Sequence, residues 1–158
     1  MSKIIGIIFG LLIMTVQAWA APKQLAPNDV SASNLKSVLS ERYGTSIDDD
    51  GMVIVKKGEY LKVNIQINPK DKVLVFFHGW SAKPSSDKMK CIEKVNRWNL
   101  DRAFNCVTYN HEDRVFIWCY YLVFTGGVDT TNLLDTVGVL LENEEVFIKD
   151  FYEAGLLE

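Results

Sequence analysis

The chain has 158 residues, a formal net charge of −3 at pH 7, 48% hydrophobic residues, three cysteines and two histidines. That length holds one domain. An acidic balance with no dense run of Lys or Arg excludes a nucleic-acid surface, which needs clustered cations to displace counterions.

Lys3 supplies a positive charge ahead of the short apolar stretch Ile4–Val16, and Gln17-Ala18-Trp19-Ala20 contains an A-x-A site. This is the pattern of a secretory signal. Pro22 disfavours cutting after Ala21, so residues 1–20 read as a signal peptide cut after Ala20. The apolar stretch is too short to span a bilayer comfortably. The mature chain is therefore expected to be periplasmic or secreted, with no stable membrane insertion after cleavage. Export brings Cys91, Cys106 and Cys119 into an oxidising compartment. Three is odd, so one thiol stays free or pairs between chains.

Residues 21–30, with Pro22 and Pro27, read as a linker, and residues 31–158 as the folded domain. Leu35, Val38, Leu39 and Arg42 recur at helical spacing, which predicts a helix over Ser31–Tyr43 with Gly44 just past its end. Asp48-Asp49-Asp50-Gly51 follows. Asp-Gly between extended segments signals a hairpin. A calcium loop would alternate its oxygen ligands and end on a distant Glu, so an acidic turn fits better. Met52–Lys57 reads as a strand. Tyr60–Ile67 alternates, with Leu61, Val63, Ile65 and Ile67 on one side, as in a half-buried strand. Val73–Trp80 is apolar on both sides and is expected to be central and covered twice.

Ser86 or Asp87 caps a helix reaching Leu100, with Ile92, Val95 and Trp98 apolar. Ala103–Asn110 and Val115–Phe124 read as two strands joined by His111-Glu112-Asp113. Thr125-Gly126-Gly127 ends the second. A last helix starts near Thr130 or Thr131, with Leu133, Val137, Leu140, Phe147 and Phe151 along one stripe. The order is α-β-β-β-α-β-β-α. Strands joined mostly by turns predict an α+β fold, an antiparallel five-stranded sheet with three helices.

"KVLVFFHGWSAKPSSD" (Lys72–Asp87) invites a hydrolase reading, because a strand followed by His-Gly resembles an oxyanion-hole loop. No G-x-S-x-G follows, and no histidine occurs after His111 to complete the order Ser, acid, His. His78 alternates with Leu74 and Phe76, so it reads as a strand-end histidine beside the core. His111 with Glu112 and Asp113 suits a solvated turn better than a metal site. No catalytic residue, cofactor or metal is expected. If the hairpin centres on Glu112-Asp113, Cys106 falls opposite Cys119. A disulfide there is sterically demanding and stands as the alternative to two inert buried thiols.

The stretch "CIEKVNRWNLDRAFNCVTYNHEDRVFIWCYYLVFTGGVDTTNLLDTVGVLL" and the earlier "DDDGMVIV" resemble the YbjN domain family of bacterial sensory transduction regulators. The features are Val95-Asn96, Trp98-Asn99, Phe104, the two-strand hairpin, Gly126-Gly127 and the long last helix. The likeness runs from about Leu35 to Phe151. It implies a fold like that of type III secretion chaperones, and it carries no catalytic residues over. Asn96 and Asn99 share a helix face and are read as bonding to backbone where the helix hands over to the next strand. Gly126-Gly127 suits a turn needing positive φ.

Two strands that are apolar on both sides exceed what three helices can cover. Phe116, Trp118, Tyr120 and Leu122 point to one side, and Val115, Ile117, Cys119, Tyr121 and Val123 to the other. The first set is the expected interaction surface, which makes a non-enzymatic protein-binding domain, with itself or another protein, the leading reading. A periplasmic small-molecule or lipid carrier is the alternative, and a hydrolase using His78 the remote one.

Overall fold

The computed structural model describes residues 23–102 and 104–158; the signal peptide expected at 1–20 lies outside them. In chain order the elements are β1 (Gln24–Leu25), α1 (Ala32–Leu39), β2 (Gly44–Ile47), β3 (Val53–Lys57), β4 (Leu61–Asn68), β5 (Val73–Ser81), α2 (Lys88–Asp101), β6 (Cys106–Asn110), β7 (Val115–Val123), β8 (Val128–Asp129) and α3 (Thr130–Glu153). Each helix begins at a side chain that accepts from the first turn. Ser31 accepts from Asn34 N–H, Asp87 from Lys90 N–H, and Asp129 from Asn132 N–H. These caps satisfy donors that a helix start leaves without partners.

The main sheet runs β2-β3-β4-β5-β7-β6, antiparallel throughout. The fold is α+β with three helices, but the sheet has six strands where the sequence predicted five. The extra one is β2. It pairs with β3 across the turn at Asp48–Gly51, where Gly51 takes φ 80°. Its four residues, Gly-Thr-Ser-Ile, carry one large apolar side chain on an edge, so no alternation marks them. The helix before it ends at Leu39 rather than Tyr43.

Residues 23–30 are not a free linker. β1 pairs with β8 in a separate two-stranded sheet, and Leu25 is buried. Gly127 makes this possible. It has φ +95°, and a Cβ there would stand 2.4 Å from the Leu25 carbonyl oxygen.

One core holds the molecule together. From the sheet it takes Val53, Val55, Val63, Ile65, Leu74, Phe76, Val107, Phe116 and Trp118, and from the helices Leu35, Leu39, Trp98, Leu133, Val137, Leu140, Phe147 and Phe151. Trp98 meets Phe147 and Phe151 edge-on at 5.6 and 5.8 Å, and Phe116 meets Phe151 at 5.0 Å. Such aromatic pairs add about 0.5–1.5 kcal/mol each beyond area burial. All these strand positions lie on one side of the sheet, so all three helices pack there. The interior strands β5 and β7 are covered once, not twice.

Gly127→Ala is expected to lower stability by about 1–3 kcal/mol, since it combines positive φ with a backbone clash. Gly126→Ala, with open space around it, is expected to be close to neutral. Denaturant midpoints of the two variants check this.

Candidate functional site

The register of the strands defines the uncovered side of the sheet. Ile54, Val73, Val75, Phe77, Val115, Ile117, Cys119, Tyr121 and Val123 alternate with the core residues and point away from the helices. None of them belongs to the core. Their neighbours in the sheet half-bury most of them, while Tyr121 is 59% and Val123 61% exposed. Among the described residues no element lies over this face.

This reverses the expected surface. Phe116 and Trp118 are fully buried under the helices. Tyr120 and Leu122 are half-buried against the same core, and Phe104 stacks on Tyr120 at 4.8 Å. On β7 the helix-covered side carries Phe116 and Trp118, and the outer side carries the smaller Val115, Ile117, Cys119 and Val123 together with Tyr121. Sequence alternation separated the two sets correctly but does not say which one is roofed.

Asn99 behaves as its position suggested. Its Nδ2 donates to the Val107 carbonyl at 2.8 Å, and its Oδ1 accepts from Val107 N–H at 2.8 Å. β6 is an edge strand, so the side-chain amide takes the place of a neighbouring strand at this point. Edge backbone left open invites pairing with another chain. Asn96 is exposed on α2, and Trp98 is buried beneath Arg102, whose guanidinium lies 4.9 Å from its ring.

Cys106 and Cys119 are direct cross-strand partners on the uncovered face, with their Sγ atoms 3.1 Å apart. Both are free, Cys106 is exposed, and Cys91 is buried elsewhere. Burial and then the adjacent Cys119 push the Cys106 thiol from 9.0 up to about 11. The Cys119 thiol also holds the neighbouring Tyr121 hydroxyl above its ordinary value.

The sequence reading missed Glu144. It is fully buried on α3. Oε2 accepts from the Lys62 backbone N–H at 2.8 Å, and Oε1 accepts from Trp80 Nε1–H at 3.1 Å and is hydrogen-bonded to His78 Nδ1. The geometry explains why a carboxylate is needed. The β4–β5 ladder stops at Asn64↔Phe77; continuing its register would set Lys62 against Gly79. The two strands part there instead, and Glu144 fills the fork. One signal was available. Leu133, Val137, Leu140, Phe147 and Phe151 mark a stripe on which an apolar residue is due at 144, and a Glu stands there.

A cleft of about 480 Å³ opens at this fork, lined by Lys56, Lys62, His78, Trp80, Ser81 and Glu158 among others. A second, of about 520 Å³, lies between α2 and α3, with Lys94, Arg97, Asp101, Arg102, Lys149 and Asp150 on its walls. The second is largely lined by charged side chains, while the first mixes Lys56, Glu59, Lys62 and Glu158 with Tyr60, Leu61, Trp80 and Leu157. In the acidic turn, Asp48 Oδ1 accepts from the N–H groups of Asp50 and Met52, so it is spent on its own backbone. His111, Glu112 and Asp113 lie exposed in the β6–β7 turn.

Two outcomes are expected from this geometry. Glu144→Ala should cost about 3 kcal/mol or more, because it strands three donors at the fork, and Glu144→Gln should cost less; chemical denaturation of both variants measures the difference. The reduced protein should lose stability as pH rises from 9 towards 11. The folded state keeps Cys106 protonated where the unfolded chain has already released its proton, so alkali favours unfolding. Cys106→Ser should flatten that part of the stability–pH curve.

The family model YbjN, described as "Putative bacterial sensory transduction regulator", matches residues 31–153. No curated protein matches. Among solved structures, the crystal structure of YbjN, "a putative transcription regulator from E. coli", aligns with a TM-score of 0.71 at 14% identity, over 85% of this chain and 98% of that one. The HopA1–SchA chaperone–effector complex contributes a chain with a TM-score of 0.50 at 11% identity, over 68% and 84%. The Yersinia pestis type III secretion chaperone SycH, solved with a fragment of YscM2, gives 0.47 at 15%, over 69% and 95%. At these identities the likeness is one of fold.

Proposed function

The chain belongs to the YbjN family, and we propose that it is a protein-binding module whose docking surface is the uncovered face of its six-stranded sheet. The observation that carries the reading is the one-sided packing: three helices cover one face, and Phe77, Ile117, Tyr121 and Val123 lie on the other with no described element over them. Contiguous apolar surface on a folded domain is unfavourable in water, and it marks a place where another molecule is bound. Tyr121 suits the centre of such a surface, because it offers apolar area together with a hydroxyl at low entropic cost.

The face is favoured over the sheet edge. Asn99 already occupies the outer backbone of β6 at Val107, and β2 at the other edge is four residues long. One structural neighbour comes from the HopA1–SchA chaperone–effector complex; that likeness supports the fold, and the binding reading rests on the exposed face.

The alternatives receive less support. A carrier of apolar ligands wants an enclosed apolar pocket; the mostly apolar cleft of about 460 Å³ between Tyr60, Leu61, Ile148 and Tyr152 is an open groove, with Lys57, Glu59, Glu145 and Lys149 also on its walls. Nδ1 of His78 on Glu144 is how a carboxylate orients a catalytic histidine, but among the described residues no serine, threonine or cysteine side chain is hydrogen-bonded to the ring, so a nucleophile is not in place. Regulation through direct DNA contact is disfavoured by the acidic net charge. Export, with a cut after Ala20, is proposed on the leader pattern, which would place the partner in the periplasm or outside the cell.

A photo-crosslinking residue at position 121 tests the reading. Adducts with a protein, either a second copy or another chain, are expected from position 121. They are not expected from position 152, an exposed tyrosine on α3. Tyr121→Asp should abolish the adduct formed from a probe at Val123, while changing stability by less than about 1 kcal/mol, as surface substitutions do. Equal labelling from both positions, or none from 121, would count against the proposal.

A further inference from the structure

We propose that Cys106 and Cys119 form a reversible cross-strand disulfide, a thiol pair on the uncovered face that opens and closes with the redox state of its surroundings. The inference stands independently of the docking role given to that face, because it concerns only the chain's own covalent chemistry.

The observations are geometric. The two residues are register partners on β6 and β7, and their sulfur atoms are 3.1 Å apart. Asn99 takes both backbone groups of Val107, so those groups point away from β7. Strand alternation then turns the backbone groups of Cys106 towards Cys119, which makes this a hydrogen-bonded pair. Opposed residues of that kind have Cα atoms about 5.5 Å apart, inside the range that a disulfide spans. The Cβ atoms of such a pair stand nearer about 5.5 Å than the roughly 3.5–4.5 Å a disulfide prefers, so closure draws the strands together locally, and a bond made that way is readily reduced. Cys106 is exposed, which gives a reagent access. Exposed disulfides are the labile and regulatory ones, in contrast to buried structural staples.

The chemistry balances with a low-molecular-weight disulfide as oxidant. One cysteine thiolate attacks a sulfur of oxidised glutathione, forming a mixed disulfide and releasing one glutathione thiolate, which takes up a proton. The second cysteine, as thiolate, attacks the protein sulfur of that mixed disulfide, forming the Cys106–Cys119 bond and releasing the second glutathione. The two protein thiols lose two electrons and two protons, and oxidised glutathione gains them as two thiols. Excess reduced glutathione reverses both steps. Whichever cysteine attacks first, Cys106 acts as a thiolate in one of the two steps, and burial holds its thiol high, so closure should speed up as pH rises from about 7 to 9.

The test equilibrates the folded full chain with reduced and oxidised glutathione at a series of ratios. Reaction is stopped with acid, the chain is unfolded and alkylated, and its peptides are read by mass spectrometry. The expected result is a linked pair of peptides carrying Cys106 and Cys119 that grows with the oxidised fraction and vanishes with the reduced one, while Cys91 stays alkylated. Cys91→Ser should leave this unchanged, and Cys106→Ser should leave Cys119 as a glutathione adduct. Alkylation of both thiols at every ratio, a link to Cys91, or stable glutathione adducts on the unmutated pair would overturn the proposal. A link that excess reduced glutathione does not open would overturn its reversibility.

Discussion

The fold hinges on one carboxylate. Glu144 stands in the apolar stripe of α3 and reaches the sheet where β4 and β5 part, taking donors from both strands. A buried carboxylate is costly unless it is fully engaged. Here Lys62 N–H, Trp80 Nε1–H and His78 engage both of its oxygens. The contact fixes the long helix against one particular place in the sheet. Once α3 is placed, Phe147 and Phe151 fall onto Phe116 and Trp98, and α2 is held by the same aromatic cluster. Apolar packing supplies most of the stabilisation, and the carboxylate supplies its register.

From that arrangement follows the asymmetry of the molecule. The helices share one core, and they spend themselves on one side of a six-stranded sheet. The interior strands β5 and β7 have apolar side chains on both sides, so the side away from the helices is apolar there too. The edges are treated differently from the face. Asn99 closes the backbone of β6 from outside, β2 is short, and the chain end is tied down where Lys83 N–H bonds to the Leu156 carbonyl at 2.7 Å. Strand addition is discouraged and contact through the face is left available. The thiol pair lies on that face, beside Tyr121.

Much of the architecture was readable along the chain. Alternation in Leu61–Ile67, the two-sided apolar runs at Val73–Trp80 and Val115–Phe124, and the stripe from Leu133 to Phe151 identified five strands and three helices within a few residues. The cap at Asp87, the need for glycine at 127 and the opposition of Cys106 to Cys119 also follow from local rules of helix starts, tight turns and hairpin register. β2 escaped because an exposed edge strand buries little and so carries no period. Glu144 escaped because a polar residue within an apolar stripe reads as an interruption until its partners are known.

The sequence by itself determined which residues belong together on a face, because the periods of strand and helix are local properties of the backbone. It could not determine which face would be roofed. Phe116 and Trp118 form one side of β7, Ile117 and Tyr121 the other, and both sets are apolar enough to serve as core. Only the tertiary structure decided between them, through the docking of α3 at the Glu144 fork and the fit of the larger aromatic rings under the helices. That choice depends on contacts between residues 64 to 82 positions apart in the chain, beyond the reach of any local period.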